Sequence, residues 1–152
     1  MSLPLVSQPA PDFTLSSTSG GEVTLSALRG RAVLLAFFPA AFTSTCTAEM
    51  CAFSDDYADF EAAGAVVLPI SVDATASLKA YKAHEKLSVD LLSDFHRTVS
   101  RAYGVLDEAR FRSQRAYVLV DKGGVVRWTH LEEHPGLRRE NSELLDQVRA
   151  LS

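Results

Sequence analysis

The segment Val33-Leu34-Leu35-Ala36-Phe37-Phe38 is apolar on both of the faces that a β-strand presents, and Pro39 follows it at once. A half-exposed strand alternates apolar with polar residues, so a strand without alternation has to be covered above and below. Proline has no N–H for a ladder and ends such a strand. The chain is therefore expected to fold as an α/β structure, with this strand in the middle of a sheet and helices on both faces. At 152 residues it has the size of one ordinary domain. No repeat, low-complexity run or linker composition divides it, so residues 1–152 are read as a single domain.

The remaining pattern supplies the other layers. Asp12–Leu15 and Val23–Leu25 flank a Ser/Thr/Gly-rich turn, which predicts an N-terminal hairpin. From Thr43 to about Ala63, Met50, Phe53, Tyr57 and Phe60 recur at spacings of three and four, with Asp55, Asp56, Asp59 and Glu61 mostly opposite. That periodicity predicts one amphipathic helix ending near Gly64. Ala65–Val72 reads as the next strand, although Pro69 predicts a bulge or an edge position. Thr75 to about Leu87 reads as a helix carrying Leu78 and Tyr81, and Leu91-Leu92-Ser93-Asp94 leads into a short helix with Val99 and Tyr103. Ala116–Val120 and Val125–Trp128 flank the hairpin signal Asp121-Lys122-Gly123-Gly124, and Glu140–Leu151 reads as a closing helix. Parallel and antiparallel connections in this order imply a mixed sheet.

Composition removes several classes of function. A chain that is 47% hydrophobic and 22% charged has enough apolar surface for a core and does not read as disordered. With 15 basic against 19 acidic residues, the net charge of −4 lacks the footprint of a nucleic-acid or anionic-membrane binder. The longest apolar stretches, Ala32–Phe38 and Ala65–Ile70, fall far short of the ~18 residues of a membrane span. Met1–Pro11 has no basic flank followed by an apolar core, so no secretory signal is read and the cytoplasm is the expected compartment. Two cysteines are too few for a disulfide framework or a four-ligand zinc site. His84, His96, His130 and His134 have no compact ligand spacing with them, and no nucleotide-binding glycine loop is present, so neither metal nor cofactor is expected.

The placement of the cysteines is more informative than their number. Cys46 falls in the first turn of a predicted helix, where unpaired backbone N–H groups and the helix dipole favour an anion. A thiol there is placed to act as a nucleophile; the alternative is a small, inert core residue.

Pro39, Thr43 and Cys46 spell Pro, three residues, Thr, two residues, Cys, in a segment that ends an apolar strand and opens a helix. In this the chain resembles the peroxiredoxin family, and the similarity runs from Pro11-Asp12-Phe13-Thr14-Leu15, through Leu91-Leu92-Ser93-Asp94 and Ala102-Tyr103-Gly104-Val105, to Arg115 and Asp121. The resemblance implies a thioredoxin-like α/β sandwich, with a central mixed sheet flanked by helices and an N-terminal β-hairpin. It also implies a thiol-dependent peroxidase acting on hydrogen peroxide and organic hydroperoxides. Cys46 would then be the peroxidatic nucleophile, oxidised to a sulfenic acid as the O–O bond breaks. Arg115, just ahead of an apolar strand, would face the thiolate and the developing charge, with Arg110 and Arg112 as nearby competitors. Thr43 would offer a hydroxyl, and Pro39 would shield the pocket from water. Glu49 would orient the arginine, or else simply be an acid in the first helical turn. Tyr117 and Val118 depart from the family's more usual Thr or Ser followed by Phe.

The spacing of Cys46 and Cys51 resembles the Q-type peroxiredoxins, also known as bacterioferritin comigratory proteins. That implies Cys51 as the resolving residue, forming an intramolecular disulfide that thioredoxin reduces; a glutaredoxin- or mycothiol-like donor is the alternative. Phe37–Thr43 also resembles the alkyl hydroperoxide reductase E group, which leaves open a one-cysteine enzyme resolved by an external thiol. In a regular helix, Cα atoms five residues apart are roughly 8 to 9 Å apart, whereas disulfides rarely span more than ~7 Å. A Cys46–Cys51 bond is therefore expected to unwind the first turns of the helix. The assembly is expected to be a monomer or weak homodimer. A thiol-disulfide oxidoreductase of the same fold normally carries C-x-x-C, but Thr43 and Glu49 stand three residues either side of Cys46. A non-catalytic metal-binding module is the remaining reading.

Overall fold

The strand that is apolar on both faces is the third of nine in the computed structural model, which describes residues 3–151. Strands β1 (Thr14–Ser17) and β2 (Glu22–Thr24) pair antiparallel as the expected hairpin, with Leu15 opposite Val23. Then come β3 (Ala32–Phe37), α1 (Ser44–Asp55), α2 (Tyr57–Ala62), β4 (Ala65–Ser71), α3 (Thr75–Glu85), β5 (Leu92–Ser93) and α4 (Thr98–Ala102). A small hairpin, β6 (Leu106–Asp107) with β7 (Arg112–Ser113), precedes β8 (Ala116–Val120), β9 (Val126–Leu131) and α5 (Asn141–Arg149).

Seven strands form one sheet in the order β2-β1-β5-β4-β3-β8-β9. β3 is parallel to β4 and antiparallel to β8, so the sheet is mixed. Alternation along β3 divides the interior into two layers. Leu34 and Ala36, with Phe38 beyond the strand, join Met50, Phe53, Phe60, Leu78 and Val148 on one face. Val33, Leu35 and Phe37 join Phe13, Val99 and Tyr103 on the other. Every residue of β3 is buried, which is why the sequence shows no polar face there.

Three expectations change. The helix read from Thr43 to Ala63 is two helices, interrupted at Asp56, whose backbone (φ −103°, ψ 14°) is not helical. Carbonyls next to the break are engaged from outside: Ala52 accepts from Asn141 Nδ2 at 2.9 Å and Ser54 accepts from Ser88 Oγ at 3.1 Å. Pro69 causes no bulge, since β3 and β4 keep unbroken register with Ala36 opposite Pro69, and β4 lies inside the sheet, yet Pro69 itself faces a stretch that no strand covers. The Ile70 carbonyl accepts from Phe38 N–H across to β3, so the neighbouring Pro69 turns its nitrogen the other way. On that side β5 reaches only Ile70 and Ser71, and the missing N–H costs no ladder bond. Finally, β9 continues to Leu131, beyond the Trp128 end read from the apolar run, and the β6–β7 hairpin has no counterpart in the sequence reading.

Leu35 is wholly buried and sits between β4 and β8. Leu35→Ala is expected to lower unfolding free energy by about 2–5 kcal/mol. A loss below about 1 kcal/mol in urea titration would contradict the assignment of β3 as the packing centre.

Candidate active site

Strand pairing brings the motif residues together across a gap of almost seventy positions in sequence. The antiparallel register sets Ala116, the first residue of β8, beside Phe37, the last of β3. Arg115 thus arrives next to the chain leaving β3 through Pro39 and entering α1, where Cys46 is the third helical residue. The N–H of Thr47 donates to the carbonyl of Thr43, so the N–H groups ahead of it have no intrahelical acceptor and point past the helix end.

Arg115 and Cys46 are each 1% exposed, and Nη2 of Arg115 donates to Sγ of Cys46 at 3.0 Å. Nη1 of the same guanidinium donates to Oε1 of Glu49 at 2.6 Å, while Nε and Nη2 approach the Pro135 carbonyl at 3.4 and 3.2 Å. Glu49 lies one turn beyond Cys46 on the inward face of α1, also 1% exposed. Its second oxygen accepts from the Tyr117 hydroxyl at 2.5 Å, and that hydroxyl accepts from Arg139 N–H at 3.0 Å. Burial pushes the Glu49 carboxyl above its ordinary range, against the opposing pull of Arg115 and the Tyr117 hydrogen bond. Burial alone would lower Arg115, but Glu49 and Cys46 outweigh it and hold the guanidinium charge more tightly than usual.

A pocket of about 200 Å³ opens over this array, lined by Pro39, Thr43, Cys46, Arg112, Arg115 and Pro135 among others. Pro39 is buried and forms wall without a polar N–H. Thr43 is exposed at the helix N-cap and makes no cap hydrogen bond; its hydroxyl donates to the Ala40 carbonyl at 2.8 Å rather than to Cys46. The oxygen keeps its lone pairs for a ligand in the pocket. Arg112 lines the same pocket, whereas Arg110 is turned away onto Asp107 at 3.0 Å.

Cys51 is not among the pocket residues. It lies partly buried on α1, packed against the helical core layer, and both cysteines are free thiols. Burial, followed by the nearby charges of Glu85 and Asp55, pushes the Cys51 thiol up from its ordinary value. Among the described residues no group of three or more His, Cys, Asp or Glu could hold a metal ion. His84 bonds Glu85 and His130 bonds Glu132. No helix among the described residues is long and apolar enough to cross a membrane.

Three contributors were missed in the sequence. Asp73 accepts from Ala41 N–H at 2.9 Å and from Ser71 Oγ at 2.7 Å, tying the loop before Thr43 to the end of β4. Ser71 and Asp73, polar residues at the end of an apolar strand, are the turn signal that could have suggested it. Pro135 supplies a carbonyl to Arg115 from the turn-forming pair Pro135-Gly136. Tyr117, noted only as a departure from pattern, bonds Glu49. Phe42, with φ at 66°, holds an uncommon backbone for an aromatic residue; its ring packs on Tyr81 (4.9 Å between centroids) and His84 (5.9 Å).

Comparison with known proteins bears on the fold and the family. The chain is 42% identical over 123 residues to the chloroplastic peroxiredoxin Q of Oryza sativa subsp. japonica, covering 80% of this chain and 56% of that one. It is 37% identical over 146 residues to alkyl hydroperoxide reductase E of Mycobacterium tuberculosis, covering 94% and 95%. The reduced 2-Cys peroxiredoxin of Plasmodium vivax superposes with a TM-score of 0.90 at 30% identity, covering 97% of this chain and 82% of that one, so the thioredoxin-like sandwich is shared. The chain spans only 56% to 63% of the length of several such relatives. Residues 6–129 match the AhpC/TSA family model, and the chain belongs to that family, the peroxiredoxins.

Proposed function

We propose that this chain is a thiol-dependent peroxidase, acting as a single thioredoxin-like domain, that reduces hydrogen peroxide and small organic hydroperoxides at Cys46. The observation that carries the reading is the Arg115 guanidinium, which contacts the Cys46 sulfur at 3.0 Å while anchored to buried Glu49. In the first step the Cys46 thiolate attacks one peroxide oxygen and the O–O bond breaks. The sulfur becomes a sulfenic acid, and the other oxygen leaves with a proton as water or alcohol. Charge moves from sulfur towards the leaving oxygen during this step. Arg115 presents donors over that path without having to reorganise, and Thr43 offers its hydroxyl to the peroxide from the pocket rim. A pocket of about 200 Å³ suits a small hydroperoxide group better than a large ligand.

In the second step Cys51 attacks the sulfenic sulfur, forming the Cys46–Cys51 disulfide and releasing water; a dithiol such as thioredoxin then returns both residues to thiols. Both cysteines lie within continuous α1, so this bond requires local unwinding. The clamps on α1 define where unwinding stops. Ser54 is bonded to Ser88, and Ala52 and Asp56 to Asn141, which pins the helix from Ala52 onward. Ahead of Cys51 the ties to be released are the Arg115 contact at Cys46, the Thr47–Tyr81 hydroxyl bond at 2.9 Å and the Glu49 contacts. The reductant and the cytoplasm as working compartment belong to the same proposal, as does a monomer or weak homodimer.

Cys46→Ser is expected to slow peroxide reduction by more than about a thousandfold. Cys51→Ser should keep the first turnover and accumulate a sulfenic acid at Cys46, read by intact-protein mass spectrometry after one equivalent of peroxide. Fast reduction by Cys46→Ser would overturn the peroxidase reading. Wild-type protein holding a sulfenic acid at Cys46 beside a reduced Cys51 would leave a one-cysteine cycle instead. The raised Cys51 thiol gives a pH signature. The thiolate is the attacking form, so disulfide formation should accelerate with rising pH without levelling off at the ordinary cysteine value of about 8.5. A resolution rate independent of pH across that region would contradict the assignment.

A further inference from the structure

We propose that Tyr117 is a positioning residue for the peroxide-reducing step: its hydroxyl fixes the second oxygen of Glu49 and so holds Arg115 on the Cys46 sulfur. The inference rests on the peroxidase reading and adds to it a residue outside the Pro39, Thr43, Cys46 and Arg115 set. Glu49 has two acceptor oxygens in a buried site, and each is assigned: Oε1 to Arg115 and Oε2 to Tyr117. A glutamate has three rotatable side-chain bonds, so one contact leaves its carboxylate free to turn, while two contacts on opposite oxygens fix the plane. Tyr117 can serve as the fixed point because its ring is wholly buried in β8, with Trp128 and His130 each 6.4 Å away between ring centroids. Its hydroxyl is located a second time by Arg139 N–H, in the segment entering α5. Burial, reinforced by the Glu49 charge, raises the Tyr117 phenol and keeps it protonated as a donor.

The groups that act on Glu49 are Arg115 and Tyr117 from the β8 strand and its entry and, through its charge, Arg138 from the segment before α5. Of these, Tyr117 is the neutral donor that stabilises the carboxylate without adding a charge near the thiolate. Without its hydroxyl, Glu49 would keep the desolvation that favours its neutral form and lose part of what opposes it. Protonated Glu49 would no longer anchor Arg115.

The test is stopped-flow measurement of Cys46 oxidation by hydrogen peroxide across pH, in three proteins: wild type, Tyr117→Phe, and a chain with 3-fluorotyrosine at position 117. Tyr117→Phe keeps the ring and removes only the hydroxyl. Its rate constant is expected to fall about ten- to hundredfold, with the acid limb of the pH profile moved to higher pH. The more acidic fluorophenol is a stronger donor and nearly isosteric; it should move that limb to lower pH. In Glu49→Gln the amide cannot take up the proton, so adding Tyr117→Phe should cost much less than it does in wild type. A rate and profile unchanged in both Tyr117 proteins, or fully additive losses in the double variant, would overturn the inference. Should Tyr117→Phe fail to fold by near-ultraviolet circular dichroism, the fluorotyrosine protein decides, since its profile either moves or does not. If Cys46→Ser still reduces peroxide, the peroxidase reading itself fails; if it is inactive while the Tyr117 proteins match wild type, only the Tyr117 inference fails.

Discussion

A guanidinium buried to 1% exposure between a thiol and a carboxylate is the interaction around which the rest of this structure is arranged. Removing either ion from water costs several kcal/mol on its own, and the pair survives only where geometry and further hydrogen bonds compensate. Here Arg115 meets Glu49 at 2.6 Å and the Pro135 carbonyl as well as Cys46, and Glu49 is also met by Tyr117. The strand register that sets Ala116 against Phe37 and the helix that starts at Ser44 supply that geometry. Arg115 has to present one nitrogen to the carboxylate and another to the sulfur at once, which a planar fork does and a point-like ammonium does not.

The same contacts that would prepare the proposed first chemical step oppose the proposed second one. α1 is held ahead of Cys51 by Arg115, Tyr117 and Tyr81, and from Ala52 onward by Ser88 and Asn141. The proposed oxidation of Cys46 would add an oxygen to the sulfur that Arg115 contacts, altering one of the ties in the first half of the helix while leaving the second half untouched. Local unwinding followed by resolution then needs no change in the sheet. Cys51 has a thiol pushed up by burial, so leaving the packed helix also makes it a better attacking group.

Much of the fold could be read from local pattern. β3 is apolar on both faces because it is central; the Asp121–Gly124 turn and the Met50, Phe53, Phe60 stripe likewise carry their structure in their own residues. The break at Asp56 could not be read, because the groups that take up the neighbouring carbonyls, Ser88 and Asn141, arrive from distant sequence. Pro69 could not be resolved between a bulge and an edge for a related reason: whether a missing N–H matters depends on which side the partner strand lies, and β5 is only two residues long. In the candidate site, Cys46 was legible from its place at a helix start. The inward direction of Glu49 could be argued either way, and the Tyr117 hydroxyl gained meaning only once β8 was laid beside α1. Asp73 and Pro135 contribute through a carboxylate reaching back 32 residues and a backbone carbonyl, and the second has no side-chain signature at all.

The dependence on a forked cation can be tested without removing charge. Arg115→Lys preserves the positive group and deletes the two-way reach, so the second-order rate constant of Cys46 with hydrogen peroxide, followed by stopped flow in a protein of unchanged circular dichroism, is the direct measurement. A fall of at least about a hundredfold is expected, because a lysine cannot hold Glu49 and face the sulfur together. A rate within about threefold of wild type would contradict it, since charge alone would then suffice.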